Sequence, residues 1–128
     1  MHVLVDTHSF LWFLHGSTEL SNTARQVIAD INNQVSVSIA TLWEIAIKVN
    51  IGKLQLTRPF HEFITAQLAL TKIEVLSIKL DHLVVVANLP LHHRDPFDRL
   101  LIAQAVTENL AIVSKDAIFP KYGVSLIW

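Results

Sequence analysis

Four of the eleven acidic residues in this 128-residue chain are placed where they could act together. Asp6 and Asp116 each follow a short apolar run, whereas Glu44 and Asp98 each lie near the start of a predicted helix. Like charges within a few ångströms of one another repel, so a carboxylate cluster is costly unless a cation neutralises it. Because the chain has no cysteine, oxygen donors dominate and favour a hard divalent ion. The acidic residues therefore predict a site for Mg²⁺ or Mn²⁺.

The predicted secondary structure brings these four carboxylates to one edge of a sheet. Strands are predicted at residues 2–5, 35–39, 73–78, 111–115 and 124–128. Helices are predicted at residues 7–15, 41–49, 81–88 and 95–108, from Ser21 to about residue 31, and from Pro59 to about residue 70. This alternation predicts an α/β fold, a central parallel sheet of about five strands flanked by helices on both faces. Such sheets bind ligands beyond the carboxyl ends of their strands, where all four acidic residues belong.

Asp98 has two interpretations. It shares a helix face with Leu101, Ile102 and Ala105, which should pack on the sheet and direct Asp98 towards the interior edge. It could equally complete an N-terminal cap begun by Asp95, near the positive end of the helix dipole. Asp95 itself is expected to be a cap, with the following proline in the first helical turn.

The other three carboxylates also have structural alternatives. Glu44 could close a capping box with Thr41 or pair with Lys48 at the i,i+4 spacing. Asp6 could cap the helix that follows it, and Asp116 could be a turn residue. No single position is decisive, and it is the grouping of four at one edge that indicates a site.

Charge and composition limit the classes of partner. Ten Lys and Arg against eleven acidic residues give a net charge of −1, so nucleic acid must be met by a local patch or a bound cation. The candidate RNA contacts are His92, His93, Arg94, Arg99, Lys48, Lys53 and Lys115.

Length and hydrophobicity point to one domain with a partner. Residues 1–128 suit a single domain, and 52% hydrophobic residues exceed what a core of this size needs. Trp12 is expected in the core or an interface. The absence of cysteine, of a signal peptide and of a bilayer-length apolar run predicts a cytoplasmic protein without a membrane segment.

Four segments resemble the PIN-domain family, and more narrowly the VapC-like toxins of bacterial type II toxin–antitoxin pairs. These are VDTHSFLWFL, LWEIAIKVNIGKL, HHRDPFDRLLIAQA and VSKDAIFPKYGV, which together extend over essentially the whole chain. The resemblance implies an endoribonuclease dependent on Mg²⁺ or Mn²⁺, with a catalytic and metal-binding cluster at Asp6, Glu44, Asp98 and Asp116. It also implies a supporting role for Ser114.

The same resemblance implies partners. VapC-like toxins form homodimers and bind a small antitoxin protein whose tail occupies the active-site groove. The alternative is a PIN-like protein that has lost catalysis and only binds a partner. A nucleotide-binding Rossmann domain is excluded because the chain has three glycines and no G-x-G-x-x-G.

Overall fold

Five short strands form one sheet in which every pairing is parallel. In the computed structural model, which describes residues 1–128, they are β1 (His2–Val5), β2 (Gln34–Ser38), β3 (Glu74–Leu76), β4 (Ala111–Val113) and β5 (Leu126–Ile127). Their order is β3-β2-β1-β4-β5, so β1 is central. The predicted α/β fold with a parallel sheet is confirmed.

Helices cover both faces of this sheet. They are α1 (Thr7–His15), α2 (Asn22–Ala29), α3 (Ile39–Asn50), α4 (Phe60–Thr71), α5 (Leu80–Asn88) and α6 (Pro96–Glu108), with a 3₁₀ turn at Phe119–Tyr122. Side chains alternate along β1, so Val3 and Val5 pack with Phe10 of α1, whereas Leu4 packs with Leu101 of α6. None of the helices has the length and apolar character needed to span a bilayer.

The start of α3 differs from the prediction. The helix begins at Ile39, and the Ser38 hydroxyl accepts a hydrogen bond from the Ala40 amide at 3.0 Å, so Ser38 is the N-cap. The capping box expected between Thr41 and Glu44 is therefore wrong, and Glu44 lies in the second turn rather than the first. The strand leads directly into the helix because Ser38, its last residue, accepts from one of the free amides of the first helical turn.

The observed bounds of several other helices and strands differ from the predicted ones by a few residues. The third strand is shorter than predicted because this edge strand pairs only with Ser36–Ser38 of β2. The predicted caps are confirmed: Ser21 accepts from the Ala24 amide at 3.1 Å, and Asp95 accepts from the amides of Phe97 and Asp98 at 2.8 and 3.2 Å. The 3₁₀ turn was not predicted.

Candidate active site

An open pocket of about 330 Å³ lies at the carboxyl ends of β1 and β4. Asp6 follows β1, Asp116 follows β4 and Asp98 lies in the first turn of α6. The residues that line the pocket are Asp6, His8, Trp12, Asp98, Lys115 and Asp116. The structure therefore brings together three of the four predicted carboxylates.

Asp6 is held rigidly. Its Oδ1 accepts a hydrogen bond from the Ser9 amide at 2.9 Å, which caps α1, and its Oδ2 accepts one from the Ser114 hydroxyl at 2.5 Å. The Ser114 oxygen in turn accepts from the Asp116 amide at 3.0 Å. The expected role of Asp6 as a helix cap is confirmed, and its carboxylate also lies in the pocket. Ser114 links the segment carrying Asp116 to the Asp6 side chain.

Asp98 carries the clearest electrostatic signal. Burial raises its pKa to about 7, and the negative charges of Asp95, Asp6 and Glu44 also raise it, whereas His93 lowers it. The loss of hydration on burial and the neighbouring negative charges together outweigh the stabilisation that His93 gives to the charged form of Asp98.

His93 lies between two of the carboxylates. Its Nε2 is 2.8 Å from Asp116 Oδ2 and 3.0 Å from Asp98 Oδ2. The ligating atoms of His93, Asp98 and Asp116 all lie within 4.8 Å of one another. The residue was expected to meet an RNA phosphate, but its ring is engaged with the acidic residues.

Glu44 lies beside this pocket but does not line it. Its Oε1 accepts a hydrogen bond from the Thr7 hydroxyl at 2.7 Å, and its Oε2 pairs with Lys48 Nζ at 2.8 Å. The i,i+4 pair with Lys48 is confirmed, so Lys48 is committed to a carboxylate. The charge of Glu44 nevertheless raises the pKa of Asp98.

The remaining basic candidates differ in availability. Lys115 is exposed on the pocket wall, and Arg94, His92 and Lys53 are exposed elsewhere. Arg99 instead donates from its guanidinium to the carbonyls of Pro90, Leu89 and His93 at 2.9, 3.2 and 3.2 Å. Those bonds organise the loop before α6 and replace the phosphate contact expected of Arg99.

Two pocket residues were missed by the sequence analysis. Trp12, expected in the core or an interface, packs against the core as expected and also lines the pocket. Its ring centroid lies 5.6 Å from that of His8 and 6.0 Å from that of Trp128. The i,i+4 spacing of His8 and Trp12 just after Asp6 could have shown that they share the helix face next to that carboxylate.

Residues 3–124 match the model of the PIN-domain family. A direct search of curated proteins finds no match.

Solved structures share the fold at low sequence identity. The chain is similar to VapBC2 from Rickettsia felis bound to a promoter DNA fragment, with 15% identity, 98% of this chain and 97% of that chain covered, and a TM-score of 0.73. It is also similar to FitAcB from Neisseria gonorrhoeae, with 18% identity, 98% and 96% covered, and a TM-score of 0.70. A third is VapBC-5 from Mycobacterium tuberculosis, a member of a toxin–antitoxin family, with 18% identity, 98% and 97% covered, and a TM-score of 0.62.

Proposed function

Because a PIN-domain match extends over nearly its whole length, this chain belongs to the PIN-domain family, and we propose that residues 1–128 form a metal-dependent endoribonuclease. PIN domains are generally metal-dependent nucleases. The observation that carries the proposal is the pocket in which Asp6, Asp98 and Asp116 converge, with the pKa of Asp98 raised by burial and by the neighbouring carboxylates.

The donor set of the pocket fits a hard divalent cation. Asp6, Asp98 and Asp116 would hold the ion. Carboxylates are the ligands that Mg²⁺ and Mn²⁺ prefer, and the chain has no cysteine that would favour a softer metal. Glu44 adds negative charge from beside the pocket. When bound, the ion supplies activation of a water molecule and neutralisation of charge on phosphate oxygens.

Hydrogen bonds from the protein fix the positions of the pocket carboxylates. Ser9 and Ser114 hold Asp6 through hydrogen bonds to both of its oxygens, and the Ile118 amide donates to Asp116 Oδ1 at 2.9 Å. These bonds hold the carboxylates in place before substrate arrives. The reaction adds water to a phosphodiester and breaks a P–O bond, which in similar family members leaves a 5′-phosphate and a 3′-hydroxyl.

The open side of the pocket suits unpaired RNA. Lys115 can contact a phosphate beside the scissile bond, and the indole of Trp12 offers a face on which an unstacked base can lie. Arg94 is exposed on the loop before α6 and can meet a flanking phosphate. With so few cationic contacts, binding should weaken only modestly as salt rises.

We further propose that the protein is a toxin inhibited by its cognate small antitoxin and that it acts in the cytoplasm. One of the similar structures, VapBC-5, is of a member of a family of toxin–antitoxin systems, and VapBC2 carries the same family name. An antitoxin segment that enters the pocket would cover the three carboxylates and exclude RNA.

A homodimer would cover the apolar surface of α3 and α5. Trp43 of α3 is 58% exposed and Leu80 of α5 is 76% exposed, with Ile47, Leu83 and Val84 exposed on the same helices. Both helices pack on α6, and patches of this kind mark association surfaces. Analytical ultracentrifugation of the antitoxin-free protein should show a dimer, whereas a monomer at every accessible concentration would contradict this expectation.

The decisive test of the activity is cleavage of cellular RNA by purified, antitoxin-free protein. We expect discrete fragments with Mg²⁺ or Mn²⁺ and none with EDTA. Asp98→Asn should lower the rate at least about 100-fold, because charge stabilisation by a metal is worth several kcal/mol. Glu108→Gln, which changes an acidic residue at the other end of α6, is the matched control and should cleave like the wild type.

Two outcomes would count against this activity. Cleavage that persists in EDTA and in Asp98→Asn would point to a contaminating nuclease. Folded protein that binds metal but leaves every RNA intact would favour the alternative of a PIN domain that only binds its partner.

A further inference from the structure

His93 is the one histidine that reaches the carboxylate pocket from the loop before α6. We propose that it is a positioning residue of the metal site, whose ring lies between Asp98 and Asp116 and keeps the two carboxylates at the spacing that a cation requires. This inference rests on the proposed function, since it concerns the ion that the carboxylates would bind.

The other ring nitrogen shows which tautomer is present. His93 Nδ1 accepts a hydrogen bond from the backbone N–H of Asp95 at 3.2 Å. A nitrogen that accepts carries no proton, so the proton of the neutral ring lies on Nε2. Nε2 donates to Asp116 Oδ2 at 2.8 Å and lies 3.0 Å from Asp98 Oδ2. Since a protonated nitrogen cannot ligate a metal, His93 in this tautomer acts on the carboxylates and not as a further ligand beside the three acids.

The position of the ring is fixed by groups outside the pocket. The His93 amide donates to the Tyr122 hydroxyl at 2.7 Å, and its carbonyl accepts from the Arg99 guanidinium at 3.2 Å. Tyr122 donates in turn to the Pro90 carbonyl at 2.8 Å, and the imidazole lies beside Phe119, with ring centroids 6.0 Å apart. This network places the Nε2–H independently of any ion.

Asp98 depends on this contact more than Asp116 does. The carboxylate of Asp116 accepts from the His93 ring and from the Ile118 amide at 2.9 Å, whereas the carboxylate of Asp98 has only the close approach of His93 Nε2 at 3.0 Å. Without the imidazole, two negative groups would face each other and move apart. A cation would then have to draw them together as it binds. Removing an outer hydrogen-bond partner of this kind typically weakens metal binding about 10- to 100-fold.

The test measures the affinity of the metal-free, full-length protein for Mn²⁺, from the electron paramagnetic resonance signal of free Mn²⁺ at pH 7.5. His93→Phe keeps an aromatic ring beside Phe119 but removes the donor. His93→Gln keeps an N–H close to the position of Nε2. We expect His93→Phe to bind about 10- to 100-fold more weakly and His93→Gln to bind like the wild type.

A second readout addresses the tautomer directly. Long-range ¹⁵N–¹H correlation spectra of the metal-free wild type should show His93 protonated at Nε2 alone, which a merely structural role in packing would not require. Because this measurement uses only the wild type, it tests the proposed role of His93 even in the case that His93→Phe does not fold.

The outcomes separate this inference from the proposed function. Wild-type protein that binds no Mn²⁺ would overturn the metal site and the inference together. Wild-type protein that binds Mn²⁺ while His93→Phe binds equally well or more tightly would overturn the role of His93 alone. A proton on Nδ1 would do the same.

Discussion

Two clusters at opposite ends of α6 combine a histidine with acidic residues, and they behave in opposite ways. The first, the α5–α6 clasp, consists of Lys79, His82 and Glu108. In the clasp, His82 is fully buried. Its Nδ1 accepts a hydrogen bond from the Lys79 amide at 3.0 Å, and its Nε2 lies 2.9 Å from Glu108 Oε1. The hydrogen bond from His82, with help from Lys79, lowers the pKa of Glu108.

The second cluster is the carboxylate pocket, where the same histidine arrangement serves two acids instead of one. His93 also accepts through Nδ1 from a backbone amide and presents Nε2 to carboxylates, but Asp98 and Asp116 share it. Burial and the nearby Asp95 raise the pKa of Asp98 to about 7. In the clasp two donors serve one acid, whereas in the pocket two acids share one histidine, and the proposed cation would supply the remaining positive charge. We infer that an acid with its own donors, such as Glu108, belongs to a structural cluster, whereas acids that share one donor, such as Asp98 and Asp116, form a candidate binding site.

Removing the histidine from the clasp should produce the largest change in stability. His82→Ala leaves a cavity and removes the partner of two polar groups, so the free energy of unfolding should fall by about 2–3 kcal/mol. Denaturant titration of the wild type and of His82→Ala measures this difference in the free energy of unfolding. Mn²⁺ affinity should stay unchanged, because Glu108 and Asp98 are about 15 Å apart along the helix. A loss of Mn²⁺ affinity comparable to that of His93→Phe would erase the distinction between the clusters.

Neutralising one acid in each cluster should shift stability in opposite directions. Folding raises the pKa of Asp98 from 3.8 to about 7, so the metal-free protein retains a proton that the unfolded chain releases, and stability falls as pH rises through that window. At pH 8, Asp98→Asn should be more stable than the metal-free wild type by about 1–2 kcal/mol, after allowance for solvent screening. Near pH 4 the difference should vanish.

Glu108 should show the reverse dependence. Its lowered pKa means that its contribution is present above the ordinary value of 4.5 and is lost as pH falls through the lowered value. Glu108→Gln should therefore lower Tm at neutral pH and have no effect in stronger acid. Thermal unfolding of both variants between pH 3 and 8 tests the pair, and parallel pH profiles would contradict the contrast.

The smallest effect is expected at the rim of the clasp. The Lys79 ammonium lies 3.4 Å from Glu108 Oε1 and its side chain is more than half exposed, so Lys79→Ala should change Tm little or not at all. A shift in Tm as large as that of His82→Ala would mean that the ion pair, and not the buried histidine, maintains the clasp.

Local patterns were sufficient for the elements and for part of the site. The apolar runs before Asp6 and Asp116 identified β1 and β4, and the parallel-sheet rule placed both residues at one edge. Asp95 and Ser21 were recognised as caps because capping depends only on neighbouring residues.

Contacts between distant residues could not be read from the sequence in the same way. The link between His93 and Asp116 spans 23 positions and depends on a loop that Arg99 and Tyr122 fix. Glu44 was misplaced because Ser38, and not Thr41, caps α3, which moves Glu44 into the second turn beside Thr7. The Ser38 cap is local, but the contacts of His93 with Asp116 and of Glu44 with Thr7 arise from packing, which no short spacing rule encodes.

The central claim, that the carboxylate pocket binds a divalent cation, is tested most directly by a Mn²⁺ titration of thermal unfolding at pH 8. The free energy of unfolding of the wild type and of Glu108→Gln should rise by about 2.7 kcal/mol at 100 times the dissociation constant. Asp98→Asn should respond far less at the same Mn²⁺ concentrations. A wild-type Tm that Mn²⁺ leaves unchanged, or an equal rise in Asp98→Asn, would contradict the claim.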